Sequence, residues 1–151
     1  MLFALLAVVL LSDSVPAQSL PDDVARLVGK AGVRGRIASW CRGTLQPGRG
    51  NTFHAFAVSD SAEGGRYVVL NEDAAVTELA TFKRSPDLSC YSQEQADALR
   101  ATIARSATIH GDLRPRWTGT VVCGFVDDTE STCWQYSSDD RRFVRVGGWT
   151  T

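Results

Sequence analysis

The chain has 151 residues, of which 16 are Lys or Arg and 17 are Asp or Glu, so its formal net charge is −1. This near balance argues against nucleic acid or an anionic membrane as the partner, because both favour an excess of basic side chains. The length is enough for one hydrophobic core and too short for two domains of ordinary size.

The N-terminus has the layout of a secretory signal peptide. Residues 2–11 are an uncharged apolar run, and a segment of small residues that suits signal-peptidase cleavage ends at Ala17. The run is shorter than the ~20 residues that a membrane span needs, and the alternative is a buried N-terminal helix. We therefore expect a signal peptide over residues 1–17, a single mature domain over residues 18–151, and a periplasmic or secreted location without membrane insertion.

The first half of the mature domain predicts one short helix followed by strands. After a capping residue at Ser19, apolar residues repeat at helical spacing as far as Gly32, which ends the helix. We expect this helix to pack at the edge of the domain. A later segment, residues 76–82, fits a strand or a single helical turn, and its threonines favour the strand. The other predicted strands, separated by turn residues, are residues 36–41, 52–58 and 66–70.

The clearest helix lies in the second half of the chain. Ser92 and Gln95 form a capping box, and apolar residues line one face of a helix predicted over residues 93–106. Both faces of the C-terminal strands are apolar, so we expect their sheet to be covered on both sides. The sequence thus predicts an α+β fold, in which an antiparallel sheet of short strands carries this main helix and the short N-terminal helix. The C-terminal strands are predicted over residues 119–126, 132–137 and 142–149.

Four cysteines, an even number in a chain expected to be exported, predict two disulfides. Cys123 and Cys133 flank a turn at residues 127–130, and one residue more or less in this turn places them directly opposite each other. Cys41 and Cys90 are then left to pair. A metal site is the alternative, but the cysteine spacings are too wide for a zinc ligand pair. The acidic turn lacks the glycine and glutamate of an EF-hand loop, so we expect neither a metal nor another cofactor.

Two histidines are the candidates for acid–base chemistry. His54 with Glu78 and an arginine would provide groups for phosphoryl transfer, in which one group takes a proton and another returns it. The Phe53-His54 strand resembles one in small secreted microbial ribonucleases over a few residues, although this chain lacks an adjacent Glu and has its main helix elsewhere. Neither His54 nor His110 follows a readable nucleophile motif, so we expect both to be structural and the protein not to be an enzyme.

A segment between the main helix and the final strands carries the best candidate binding residues. Pro115 and flanking glycines predict a surface loop, in which Arg114, Arg116 and Trp117 combine a rigid ring with two guanidinium groups. This combination is typical of interface hot spots and also suits stacking on a sugar; the alternative is a buried Trp117. We therefore expect a module that binds an extracytoplasmic protein, as an inhibitor, immunity or accessory protein does. A glycan- or peptidoglycan-binding module ranks second, and a small secreted hydrolase of ribonuclease type third.

Overall fold

The structure is a computed structural model that describes residues 19–46, 50–84, 86–111 and 119–151. It consists mainly of antiparallel strands with two helices, which confirms the predicted α+β class. The predicted signal peptide, residues 1–17, lies outside the described residues, and its cleavage stays a prediction. In chain order the elements are α1 Asp22–Ala31, β1 Arg36–Thr44, β2 Thr52–Ser61, β3 Gly64–Asn71, β4 Val76–Lys83, β5 Leu88–Tyr91, α2 Gln93–Ile103, β6 Thr108–Gly111, β7 Val121–Phe125, β8 Glu130–Ser137 and β9 Arg142–Thr150.

The described strands form two sheets rather than the one sheet that the sequence predicted. The first is a meander in the order β1-β2-β3-β4, and the second has the order β5-β7-β8-β9-β6. Side chains from both sheets build one common core, in which Phe53, Tyr67 and Trp134 are among the largest. The inner faces of the two sheets therefore pack against each other, as they do in a β-sandwich.

Each helix covers the outer face of one sheet. Val24 of α1 packs against Phe56 and Val58 of the first sheet, whereas Ala96 and Ile103 of α2 pack against the second. The layers thus run α/β/β/α, and the second sheet is covered on both sides as predicted. Both predicted helices are present, but they are nearly equal in length: α1 has 10 residues, and α2, predicted over residues 93–106, has 11. The prediction that α1 packs at the domain edge was wrong, because α1 lies across a sheet face.

The helix ends show which capping signals operate. In α2 the capping box is present: the Ser92 hydroxyl accepts from the Gln95 backbone N–H, and the Gln95 side chain accepts from the Ser92 N–H. The predicted cap at Ser19 is wrong, because α1 begins after Pro21 and has no side-chain cap. Gly32 ends α1 as predicted, with a left-handed φ of 68° that glycine adopts without strain.

All seven predicted strands are present, and two short ones were missed. Residues 76–82, which fitted a strand or a helical turn, belong to β4. The sequence did not predict β5 and β6, which have four residues each and lie beside a proline and a glycine that normally mark turns. Both lie at edges of the second sheet, where pairing with β7 and β9 compensates for weak local signals.

The two disulfides are those that the sequence predicted. Cys123 and Cys133 lie directly opposite each other on β7 and β8, with their Cα atoms 4.1 Å apart. Cys41 and Cys90 join β1 to β5, and so connect an edge strand of one sheet to an edge strand of the other. Two intramolecular disulfides indicate an oxidising environment of the extracellular type. Within the described part of the chain, no helix is long and apolar enough to cross a membrane.

Candidate binding site at one end of the sandwich

A cleft of about 190 Å³ opens between the two sheets at the end where the β3–β4 and β8–β9 turns lie. Its apolar wall comes from both sheets, and its polar rim comes mainly from the two turns. We call it the basic cleft; its lining residues are Leu45, Phe53, Val69, Asn71, Ala75, Thr77, Tyr136, Arg141, Arg142 and Phe143.

Three aromatic rings form the apolar part of the basic cleft. Tyr136 and Phe143 lie opposite each other on the β8–β9 hairpin, with ring centroids 5.7 Å apart in an edge-to-face arrangement. Phe53 reaches them from the first sheet and packs edge-to-face on Phe143 at 5.1 Å. Aromatic pairs are stabilised in this geometry, so the three rings form a continuous apolar surface.

Two arginines line the rim of the basic cleft. Arg141 and Arg142 are exposed, and neither forms an ion pair within the described part of the chain. Arg141 has a φ of 54°, a left-handed conformation that non-glycine residues rarely adopt. The turn before it is held by Ser137, whose hydroxyl donates to the Asp140 carboxylate and accepts from the Asp140 N–H. The turn is therefore a fixed support for two guanidinium groups beside an aromatic surface.

A second cleft of about 210 Å³ adjoins the first and carries the opposite charge. It shares Leu45 and Asn71 with the basic cleft, so the two are contiguous. The Glu72 carboxylate accepts from the hydroxyl and the N–H of Thr52, at 2.7 and 3.3 Å, and these bonds lower the pKa of Glu72. We call this the acidic cleft; its lining residues are Leu45, Asn51, Thr52, Asn71, Glu72 and Asp73.

His54 lies near the acidic cleft but on the covered outer face of the first sheet. It is 8% exposed, and Trp40 and Phe56 flank its ring at 6.0 and 6.3 Å. Its Nδ1 atom is buried and forms no hydrogen bond with any described residue. Burial, together with the positive charge of Arg42 on the paired strand, lowers the pKa of His54, although nearby carboxylates act in the opposite direction.

The acid–base group around His54 differs from the one that the sequence suggested. Glu78 lies on β4, two strands away, and Glu72 is the glutamate that interacts with His54. Both pKa values are lowered, that of His54 mainly by burial and that of Glu72 mainly by the Thr52 hydrogen bonds, so both groups favour the deprotonated form at neutral pH. Phosphoryl transfer of the ribonuclease type needs one group that accepts a proton and another that donates one. This geometry therefore gives no support to the hydrolase hypothesis.

His110 lies in the second sheet, apart from the group around His54. It is exposed on the edge strand β6, where its Nε2 atom lies 2.7 Å from the Thr150 hydroxyl. Among the described residues, no three His, Cys, Asp or Glu side chains are grouped so that they could hold a metal ion.

The lowered pKa of His54 predicts how stability depends on pH. The unfolded state, with a pKa near 6.5, binds a proton that the folded state resists, so the melting temperature should fall as pH decreases from 7 toward 5. The variant His54→Gln, which does not titrate, should show a flatter dependence in thermal unfolding followed by circular dichroism. Equal slopes for the two proteins would contradict this assignment.

The predicted binding residues Arg114, Arg116 and Trp117 lie outside the described residues. The described chain resumes at Gly119, directly beside the clefts: a Cβ on Gly119 would lie 2.4 Å from the Leu45 carbonyl oxygen. The next residue, Thr120, exchanges hydrogen bonds with Thr44 at the end of β1. Gly119 and Thr120 thus lie at the end of the sandwich that carries the clefts.

The sequence did not predict the basic cleft. It placed Arg142 at the start of a strand and gave Arg141 no role. The available signal was the hairpin itself, because a turn with two arginines between Tyr136 and Phe143 places guanidinium groups next to paired rings.

Comparisons with protein-family models, curated proteins and solved structures find no match to this chain.

Proposed function

We propose that this protein is an exported, non-enzymatic module that binds another extracytoplasmic protein through the basic cleft. The observation that carries the proposal is the position of two exposed guanidinium groups, those of Arg141 and Arg142, beside three packed aromatic rings. Aromatic side chains and arginine are the residue types in which interface binding energy concentrates. An inhibitor, an immunity protein or an accessory protein of the cell envelope would use such a site.

The shape and charge of the cleft indicate what enters it. Its volume of about 190 Å³ exceeds the ~150 Å³ of an apolar cavity that holds a benzene ring, so one apolar side chain of the partner fits. A carboxylate next to that side chain would accept paired hydrogen bonds from a guanidinium group, which is the geometry that arginine provides best. We therefore assign the cleft to a polypeptide segment in which an acidic residue adjoins an apolar one.

Other properties of the chain support an exported binding module. The disulfides agree with the predicted signal peptide, residues 1–17, and with a periplasmic or secreted location. The charge balance speaks against nucleic acid, and we expect no membrane insertion after cleavage. The glycan alternative depended on Trp117 and the other tryptophans, of which Trp134 and Trp149 are buried. The charged rim of the basic cleft favours a carboxylate over a neutral sugar.

Two arginines with the same backbone conformation provide a matched test. Arg141 lines the basic cleft, whereas Arg84, with a φ of 68°, lies at the far end of β4 and pairs with Asp128. Both arginines have a left-handed backbone conformation, which glycine adopts without the strain that an L-residue has there. Replacing either with glycine should therefore keep or slightly raise the melting temperature. Only Arg141→Gly should weaken binding of the blocked peptide acetyl-Gly-Asp-Phe-Gly-amide, by about five-fold, since an exposed charge pair contributes up to ~1 kcal/mol.

Binding is measured by following amide shifts in a nitrogen–proton correlation spectrum during peptide titration. Shifts should occur around Tyr136 and Phe143 in the wild type and in Arg84→Gly. If the wild type shows no shifts there, or if both variants bind alike, the proposed function is wrong.

A further inference from the structure

We infer that the partner segment is bipolar, with an acidic residue on one side of its apolar anchor and a basic residue on the other. This inference rests on the proposed function and extends it to the acidic cleft. The observation is that two clefts of opposite charge share the wall formed by Leu45 and Asn71. A segment seated across this wall brings one end to Arg141 and Arg142 and the other end to Glu72 and Asp73.

The shared wall is built from backbone that its own hydrogen bonds hold in place. The Asn71 side chain accepts from the N–H groups of Asp73 and Ala75, at 3.0 and 2.9 Å, which fixes the β3–β4 turn. The Leu45 N–H donates to the Asn51 carbonyl at 2.9 Å across the neighbouring loop. The separation between the basic and acidic rims is therefore set by the fold, and it selects among partners by the spacing of their charges.

The acidic side is charged and accessible at neutral pH. Glu72 and Asp73 are both exposed, and the Thr52 hydrogen bonds hold the Glu72 carboxylate in its ionised form. The positive charge of Arg42 interacts with the Glu72 carboxylate and offsets part of its negative charge. The Asp73 carboxylate adds the negative charge that this rim needs. A lysine or arginine of the partner would find complementary charge here, while a second acidic residue would be repelled.

Four blocked peptides test the inference, each with phenylalanine at the centre. Two are bipolar, with the orders Asp-Phe-Lys and Lys-Phe-Asp, and two replace lysine with serine. The bipolar peptide in the favoured chain direction should bind about three-fold more tightly than its serine control. A gain of this size corresponds to the free energy that an exposed ion pair contributes. In Glu72→Gln/Asp73→Asn this ratio should fall to one, whereas Asp97→Asn, an exposed acid on α2, should retain it.

The outcomes separate this inference from the proposed function. If serine-containing peptides bind in a manner that depends on Arg141 but lysine adds nothing, the bipolar inference is overturned and the basic cleft remains a binding site. A lysine gain that survives in Glu72→Gln/Asp73→Asn likewise overturns it. If none of the four peptides perturbs the cleft, the proposed function fails as well.

Discussion

Replacing Cys41 and Cys90 with alanine is expected to lower the free energy of unfolding by about 4 kcal/mol. The bond closes a loop with a sequence separation of 49, and the chain-entropy model gives this magnitude for a loop of that size. It also joins edge strands of two different sheets, which no backbone hydrogen-bond ladder connects. A loss of this size is a large part of the ~5–15 kcal/mol that stabilises a typical domain.

Urea unfolding followed by circular dichroism measures the loss, and the amide spectrum of the variant shows whether the clefts remain formed. The Cys123–Cys133 bond, with a separation of 10, should contribute about 3 kcal/mol through loop closure alone. If replacing Cys41 and Cys90 with alanine lowers the free energy of unfolding by less than about 1 kcal/mol, this bond does not restrict the unfolded chain.

Tyr67→Ala should cost about 4 kcal/mol, and Tyr67→Phe about 1–2 kcal/mol. The ring is fully buried between the sheets and packs on Phe82 at 4.8 Å and Trp134 at 6.0 Å. Its hydroxyl lies 2.6 Å from the Phe125 carbonyl oxygen of the second sheet and also contacts the carbonyl of Asp87. Burial raises the pKa of Tyr67, so the hydroxyl stays a donor over the whole range of ordinary pH.

The two Tyr67 variants separate the ring from the hydroxyl in urea unfolding. Tyr136→Phe is a matched control, because the Tyr136 ring is half-buried and its hydroxyl makes no hydrogen bond within the described chain; it should change stability by less than about 0.5 kcal/mol. If Tyr67→Phe proves as mild as this control, the hydroxyl does not help to hold the sheets together.

The features of the fold that were predictable depend on local signals. The capping box at Ser92, the stop at Gly32 and the opposed cysteines of the β7–β8 hairpin each need only a few neighbouring residues. The division of the strands into two sheets does not depend on local signals, because it is set by contacts between residues distant in sequence. For the same reason the position of α1 was wrong, since a short amphipathic helix fits an edge as well as a face.

The candidate site was only partly predictable. The sequence selected Arg114, Arg116 and Trp117, which lie outside the described residues, so this selection stays a prediction. The phosphoryl-transfer alternative combined His54 with Glu78, which lies two strands away from it. In the observed β2–β3 register His54 pairs with Leu70, and this register places Thr52 within hydrogen-bond distance of Glu72. Hairpin register, which the sequence alone left open, therefore decides which glutamate reaches the histidine.

Site-specific photo-crosslinking in the cells that produce the protein tests the central claim most directly. A photoreactive residue at Thr77, an exposed position in the basic cleft, should give an adduct with a different protein. The same residue at Ala101, exposed on α2, should not give this adduct. Mass spectrometry of the adduct should locate the cross-link next to an acidic residue of the partner, and Arg141→Gly should reduce its yield. Identical adducts from both positions, or an adduct at Thr77 that is indifferent to Arg141, would contradict recognition through the basic cleft.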